Sequence, residues 1–201
     1  MPEIIQTTVC RLEELSDAAK DKAHAWYREG GFDHEWYEFI YEDFVRICAI
    51  LGIELNTSPV RLYGGGTRPK PHIYFSGFSR QGACFEGHYA YARQASAKVR
   101  DYAPQDAELH RIADALFAVQ RQNFYQLKAT IQHRGHYNHE HSMMVSVERK
   151  SAVYQDITIG ADEVLTDALR DLARWLYRAL EHEYDYQTSD ECVDEALIAN
   201  D

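Results

Sequence analysis

Hydrophobic and polar residues alternate with a period of two along residues 124–134 and again along 139–148, on either side of a short polar turn. Successive side chains of a strand point to opposite faces, so FYQLKATIQHRGHYNHEHSMMVSVE predicts a β-hairpin. Tyr125, Leu127, Ala129, Ile131 and His133 share one face, and His141, Met143, Val145 and Val147 have the matching phase on the return. Two further strand-like runs, 72–78 and 83–91, are joined by Ser79-Arg80-Gln81-Gly82 and read as a second hairpin. In the run 83–91, alternation sends Ala83, Phe85, Gly87 and Tyr89 one way and Cys84, Glu86 and His88 the other. Residues 4–11 alternate enough for a first strand.

Elsewhere the apolar spacing is three and four, the period of a buried helix stripe. Ser16 stands where an N-cap belongs, and a helix through residues 18–29 stops at Gly30-Gly31. Asp33 looks like the next cap, before a helix over 34–51 with Trp36, Phe39, Ile40, Phe44, Ile47, Cys48 and Leu51 on its stripe. Pro59, Gly64-Gly65-Gly66, Pro69 and Pro71 break the pattern, so 53–71 reads as a loop of limited regularity with a glycine turn. Helices follow over 93–102 and 105–122. A long one over 161–186 has Val164, Leu165, Ala168, Leu169, Leu172, Leu176 and Leu180 as its seam. Thr188 and Glu191 have capping-box spacing and start a last short helix. The order predicts one α+β domain over residues 1–201: a mainly antiparallel sheet of four to five strands with helices packed on one face. Residues 161–201 form its helical, acidic end.

Composition sharpens this picture in two places. A hydrophobic share of 45% with 14 tyrosines gives a chain of 201 residues enough apolar surface for a packed core. The formal charge of −11 argues against direct nucleic-acid binding and against an anionic membrane, since both need clustered Lys and Arg. From Glu181 onward there is no Lys or Arg, while Glu181, Glu183, Asp185, Asp190, Glu191, Asp194, Glu195 and Asp201 accumulate. Cys10, Cys48, Cys84 and Cys192 are scattered without a CxxC pair, which speaks for free thiols. With no signal-peptide pattern and no apolar run near 20 residues, the expected setting is the cytoplasm.

Several segments together resemble an uncharacterised family of phage and prophage proteins. They are LEELSDAAKDKAHAWYREGGFDHEWYEFIYEDF, IYFSGFSRQGACFEGHY, YAPQDAELHRIADAL, FYQLKATIQHRGHYNHEHSM and SDECVDEALIAND. Some members of that family carry the automated label of antitoxin of a toxin–antitoxin stability system. The resemblance implies an accessory protein acting on a host or toxin protein, and it brings no catalytic residues with it.

The residues themselves suggest two chemistries. A hairpin turn centred near Tyr137 would set His133 opposite His141, with His139 two residues along on the same side. Three imidazoles so placed could hold Zn and leave a fourth position for water, the arrangement of a metal-dependent hydrolase. Glu140, by parity, points away. The opposite sheet face would carry Cys84, Glu86, His88, Lys128, Gln132 and Arg134, with His136 at the turn. A Cys84–His88 nucleophilic pair there fails on spacing, because four residues along a strand is about 13 Å. Glu86, His88, Lys128, Gln132, Arg134 and His136 are therefore read as a binding surface. The expected function is a non-catalytic accessory protein that binds and modulates its partner without a cofactor. It would be antitoxin-like or anti-defence, with an acidic nucleic-acid mimic as one form; the alternative is the His133, His139, His141 hydrolase.

Overall fold

A computed structural model of the chain describes residues 10–32, 35–78 and 82–199. It is an α+β protein in two compact units, Met1–Glu38 with Glu181–Asp201 and Phe39–Leu180. Most of the expected strand over residues 4–11, the Asp33 cap and the start of a helix at His34 lie outside the described residues; Cys10 and Arg11 are not in a strand.

In the first unit, helix α1 (Asp17–Trp26) continues into a π-helical turn, Tyr27–Gly31. Ser16 takes the extended N-cap backbone without lending its hydroxyl. The final helix, α6 (Asp190–Ala199), is started by Ser189, whose Oγ accepts from the Cys192 N–H at 3.3 Å. The cap thus falls one residue after the expected Thr188. The two ends of this unit meet around His24, buried, with Nε2 2.6 Å from Asp194 Oδ1 and Nδ1 3.2 Å from Asp190 Oδ1. Arg28 adds a 2.5 Å contact to the same Asp190 and donates to the Thr188 carbonyl. The Arg28 guanidinium holds Asp190 below the usual aspartate range. Phe32, Trp36 and Tyr184 pack ring against ring beside them.

The second unit holds the sheet. Strands β1 (Ile53–Leu55), β6 (Gly87–Ala90), β7 (Leu127–His133) and β8 (Met143–Arg149) form a four-stranded sheet in the order β1-β6-β7-β8. Every neighbouring pair is antiparallel. Leu127, Ala129 and Ile131 are buried while Lys128, Thr130 and Gln132 face out, so the helices cover one face only. That covering layer is made by α2 (Glu38–Leu51), α3 (Ala95–Tyr102), α4 (Ala107–Gln122) and α5 (Ala161–Gln187). Phe44, Ile47 and Leu51 of α2, Leu109, Ile112 and Leu116 of α4, and Leu165, Leu169, Leu172, Leu176 and Leu180 of α5 form the core. Phe39 and Val164, read as stripe residues, are exposed instead. Glu35–Tyr37 form a turn, so α2 begins later than the stripe suggests.

Two departures from the sequence reading shape the surface. Residues 53–71 are not a loop: after β1, strands β2 (Thr57–Arg61) and β3 (Thr67–Pro71) pair into a two-stranded ribbon turning through Leu62–Gly66. Its hydrogen bonds alternate. Pairs Asn56/His72 and Leu62/Gly66 are bonded, which makes Thr57/Pro71 and Pro59/Pro69 the non-bonded pairs. Pro59, Pro69 and Pro71 therefore sit where an N–H would point outward, and the ribbon edges lose three exposed donors that could recruit another strand.

The second departure is at 83–91. Strand β4 (Ile73–Phe75) pairs with β5 (Ala83–Phe85), but β6 belongs to the main sheet. The chain changes sheets at Glu86, yet the alternation carries across it: Ala83, Phe85, Gly87 and Tyr89 are buried, and His88 is exposed. Ala83, Cys84 and Phe85 are all buried.

Candidate functional site

Glu86 occupies the point where the chain passes from β5 to β6, and its main chain is bonded to both neighbouring strands. Its N–H donates to the His72 carbonyl and its carbonyl accepts from Asn56. The side chain is consequently fixed at the root of the β2–β3 ribbon. Its Oε2 lies 2.7 Å from His72 Nδ1 and accepts from the Tyr74 hydroxyl at 3.2 Å, while Oε1 accepts from the His133 N–H at 3.0 Å. Partial burial pushes the Glu86 carboxyl up, and the bonds from His72, His133 and Tyr74 outweigh this and leave it below its usual value. Burial and the Glu86 charge push Tyr74 up, so the phenol keeps its proton and donates.

The far nitrogen of His72, Nε2, is 2.7 Å from Ser58 Oγ. An ionised carboxylate only accepts, so Nδ1 carries the proton facing Glu86, and in the neutral ring Nε2 is then the acceptor for the Ser58 hydroxyl. Tyr74 stacks on the His133 ring, with centroids 5.0 Å apart. Neither Ser58 nor His72 was marked by the sequence. They are diagonal neighbours across the ribbon, a relation invisible while 53–71 reads as a loop.

The expected binding residues separate into groups. His88, Lys128 and Gln132 do share the open sheet face, with Lys128 directly opposite Glu148 and His88 opposite both Glu54 and Thr130. Arg134 and His136 are exposed beyond the strand end. Glu86 is engaged by His72, Tyr74 and the His133 N–H, and Cys84 is buried, where desolvation raises its thiol to about 11.

The histidine turn also differs from its expected form. The register pairs His133 with Met143, not His141, because Glu140–Ser142 close into a 3-10 turn. The slip is two residues, an even number, so the faces are preserved. His133 is held by Tyr74 and by its Nε2 contact with the Tyr137 carbonyl at 3.1 Å. Glu140 is not directed away: it is buried, 2.9 Å from His139 Nδ1 and 3.9 Å from His141 Nε2. Ligand atoms of His139, Glu140 and His141 all lie within 4.8 Å of one another. Among the described residues these three, with Glu140 in place of His133, are the ones grouped closely enough to hold a metal. Arg174 Nε, 3.1 Å from Glu140 Oε1, competes for the same carboxylate charge.

Residues 36–190 match the model of a domain of unknown function, DUF8835. The chain belongs to that family. The match spans both the ribbon root at Ser58, His72 and Glu86 and the turn at His139–His141. No curated protein and no solved structure matches the DUF8835 chain. No helix among the described residues is long and apolar enough to cross a membrane.

Proposed function

We propose that this DUF8835 protein binds and modulates a partner protein, using the β2–β3 ribbon as its docking arm. One observation carries the reading. Every residue from Thr57 to Lys70 is exposed, although the ribbon presents Val60, Leu62 and Tyr63. A two-stranded ribbon with no layer against it is marginal in water, so apolar tip residues on it gain most when a partner covers them. The arm also carries Arg61, Arg68 and Lys70 with no acidic residue, within a chain of charge −11. That contrast suits a partner with an acidic surface around an apolar centre. Because prolines blunt its edges, the arm docks by side chains and not by strand addition.

The resemblance to phage and prophage proteins supports a host or toxin protein as the partner, in an antitoxin-like or anti-defence role. An acidic nucleic-acid mimic draws less support, since Asp190 and Asp194 are engaged by Arg28 and His24. A photo-crosslinking residue at Tyr63, compared with one at the equally exposed Tyr154, tests the arm. Expected is a saturable adduct of one size at position 63 that excess unlabelled protein abolishes. Indistinguishable adducts at the two positions would sink the docking arm.

A second reading, the metal-dependent hydrolase, is favoured by the convergence of His139, Glu140 and His141. Elemental analysis and zinc titration of tag-free protein test it: one zinc per chain, lost in His139→Ala, supports a metal centre, and no stoichiometric binding removes it.

A further inference from the structure

The root of the ribbon carries an arrangement that partner binding does not require. We propose that Ser58, His72 and Glu86 form a nucleophile–base–carboxylate relay that hydrolyses carboxylic esters bearing a nearby negative charge. The links are continuous: Ser58 Oγ to His72 Nε2 at 2.7 Å, and His72 Nδ1 to Glu86 Oε2 at 2.7 Å. Nucleophilic catalysis by serine needs a base within hydrogen-bond reach and a third group to fix the base's tautomer. Both conditions are met here. Glu86 is itself positioned by the Tyr74 hydroxyl and the His133 N–H, so the carboxylate cannot swing away. Ser58 is exposed, which lets an acyl group reach it, and the carboxylate end of the relay is partly buried.

The ribbon's pairing supplies the preference for an anion. Lys70 stands directly opposite Ser58, and Arg68 opposite Val60 lies on the same face. Cross-strand partners have Cβ atoms about 5 Å apart, so the Lys70 ammonium can reach both a substrate anion and the oxygen that gains charge at the acyl carbon. The step balances without any further reagent. Ser58 Oγ bonds to the acyl carbon as His72 Nε2 takes its proton. The carbon–oxygen bond of the ester then breaks, and the same proton passes to the departing alkoxide. Water next attacks the acyl-serine, giving a proton to His72; the acid leaves, and Ser58 recovers its hydroxyl.

The test uses the full chain and a fluorophosphonate probe read by intact mass, together with p-nitrophenyl esters. Expected is one covalent adduct per chain, located at Ser58 and absent in Ser58→Ala. Glu86→Gln keeps the shape but can donate to Nδ1, which forces the wrong His72 tautomer, so labelling should slow by about 100-fold or more. Circular dichroism of that variant separates lost chemistry from lost fold. The monoanionic p-nitrophenyl glutarate should be cleaved faster than neutral p-nitrophenyl acetate, and Lys70→Gln should erase the difference. No adduct on the wild-type chain, or an adduct whose rate is indifferent to Glu86→Gln in a folded protein, overturns the relay. These outcomes are independent of the Tyr63 crosslink.

Discussion

Gln120 offers the most direct test of how the covering helices are tied to the sheet. It lies in the last turns of α4, with no exposed surface, and its amide serves the main chain of one residue at the start of β7. Nε2 donates to the Leu127 carbonyl at 2.8 Å, and Oε1 accepts from the Leu127 N–H at 3.1 Å. The side chain thus replaces the missing strand neighbour where the sheet begins. Changing Gln120→Met keeps the length and roughly the volume but removes both bonds. Two buried backbone groups are then left without partners, at about 1–3 kcal/mol each, so the expected loss is about 4 kcal/mol. That is nearly a thousandfold in the unfolding equilibrium. Gln120→Ala adds a cavity and should cost more. Urea denaturation followed by far-UV circular dichroism measures both variants, with the slope checked to confirm that the unfolded state is unchanged. A Gln120→Met loss below about 1 kcal/mol at unchanged slope would refute the inference that the amide acts as a substitute strand.

Other predictions follow from particular positions. In native protein two thiols, Cys10 and Cys192, should react quickly with a disulfide reagent at pH 8, and four after denaturation; Cys48 and Cys84 are buried, with burial raising both. Four fast thiols in the native state would contradict that burial. Gly87→Ala places a Cβ against the Glu54 carbonyl and 3.0 Å from Leu55 Cα, in the middle of the sheet. Both contacts are backbone, so a cost of about 3 kcal/mol is expected. This corresponds to a drop of roughly 6–12 °C in Tm for a chain of this size, read by differential scanning fluorimetry. Because Glu86 is held below its ordinary value of 4.5, its stabilising effect is complete above that value and is lost as pH falls through the lowered one. The stability gap between wild type and Glu86→Gln should therefore narrow on acidification below pH 4.5, and a gap constant from pH 7 to 3 would refute it.

The legible parts of this chain are those in which one period governs a whole element. The leucine seam of α5 and the alternation of β7 and β8 survive in the structure because burial on one face dictates each residue in turn. Even the register slip at the histidine turn left the faces intact, since side chains repeat every two residues. What stayed hidden lay at discontinuities. Strand β5 is buried on both faces, so parity counted from Ala83 assigns Cys84 to a surface when it is in the core. Residues 57–71 carry the prolines and glycines of a loop, yet these prolines occupy positions where a strand needs no N–H. With that ribbon unseen, the contact between Ser58 and His72 had no sequence signal beyond a polar pair in a low-periodicity stretch. Glu140 was misjudged for a related reason: a 3-10 turn replaces strand phase at that residue.

The placement of the first unit's two segments also bears on how the protein is made. Its ion pairs join His24 and Arg28 near the start of the chain to Asp190 and Asp194 near the end, and all of Phe39–Leu180 lies between them. During synthesis those pairs form only after the last helix has emerged, when the sheet and its leucine core are already complete in sequence. Closing so long a loop is slow for an unstructured chain and much faster once the intervening segment has compacted. A nascent chain halted before Asp190 would expose the α1 surface bearing His24, a window in which a chaperone or protease could distinguish unfinished copies from finished ones.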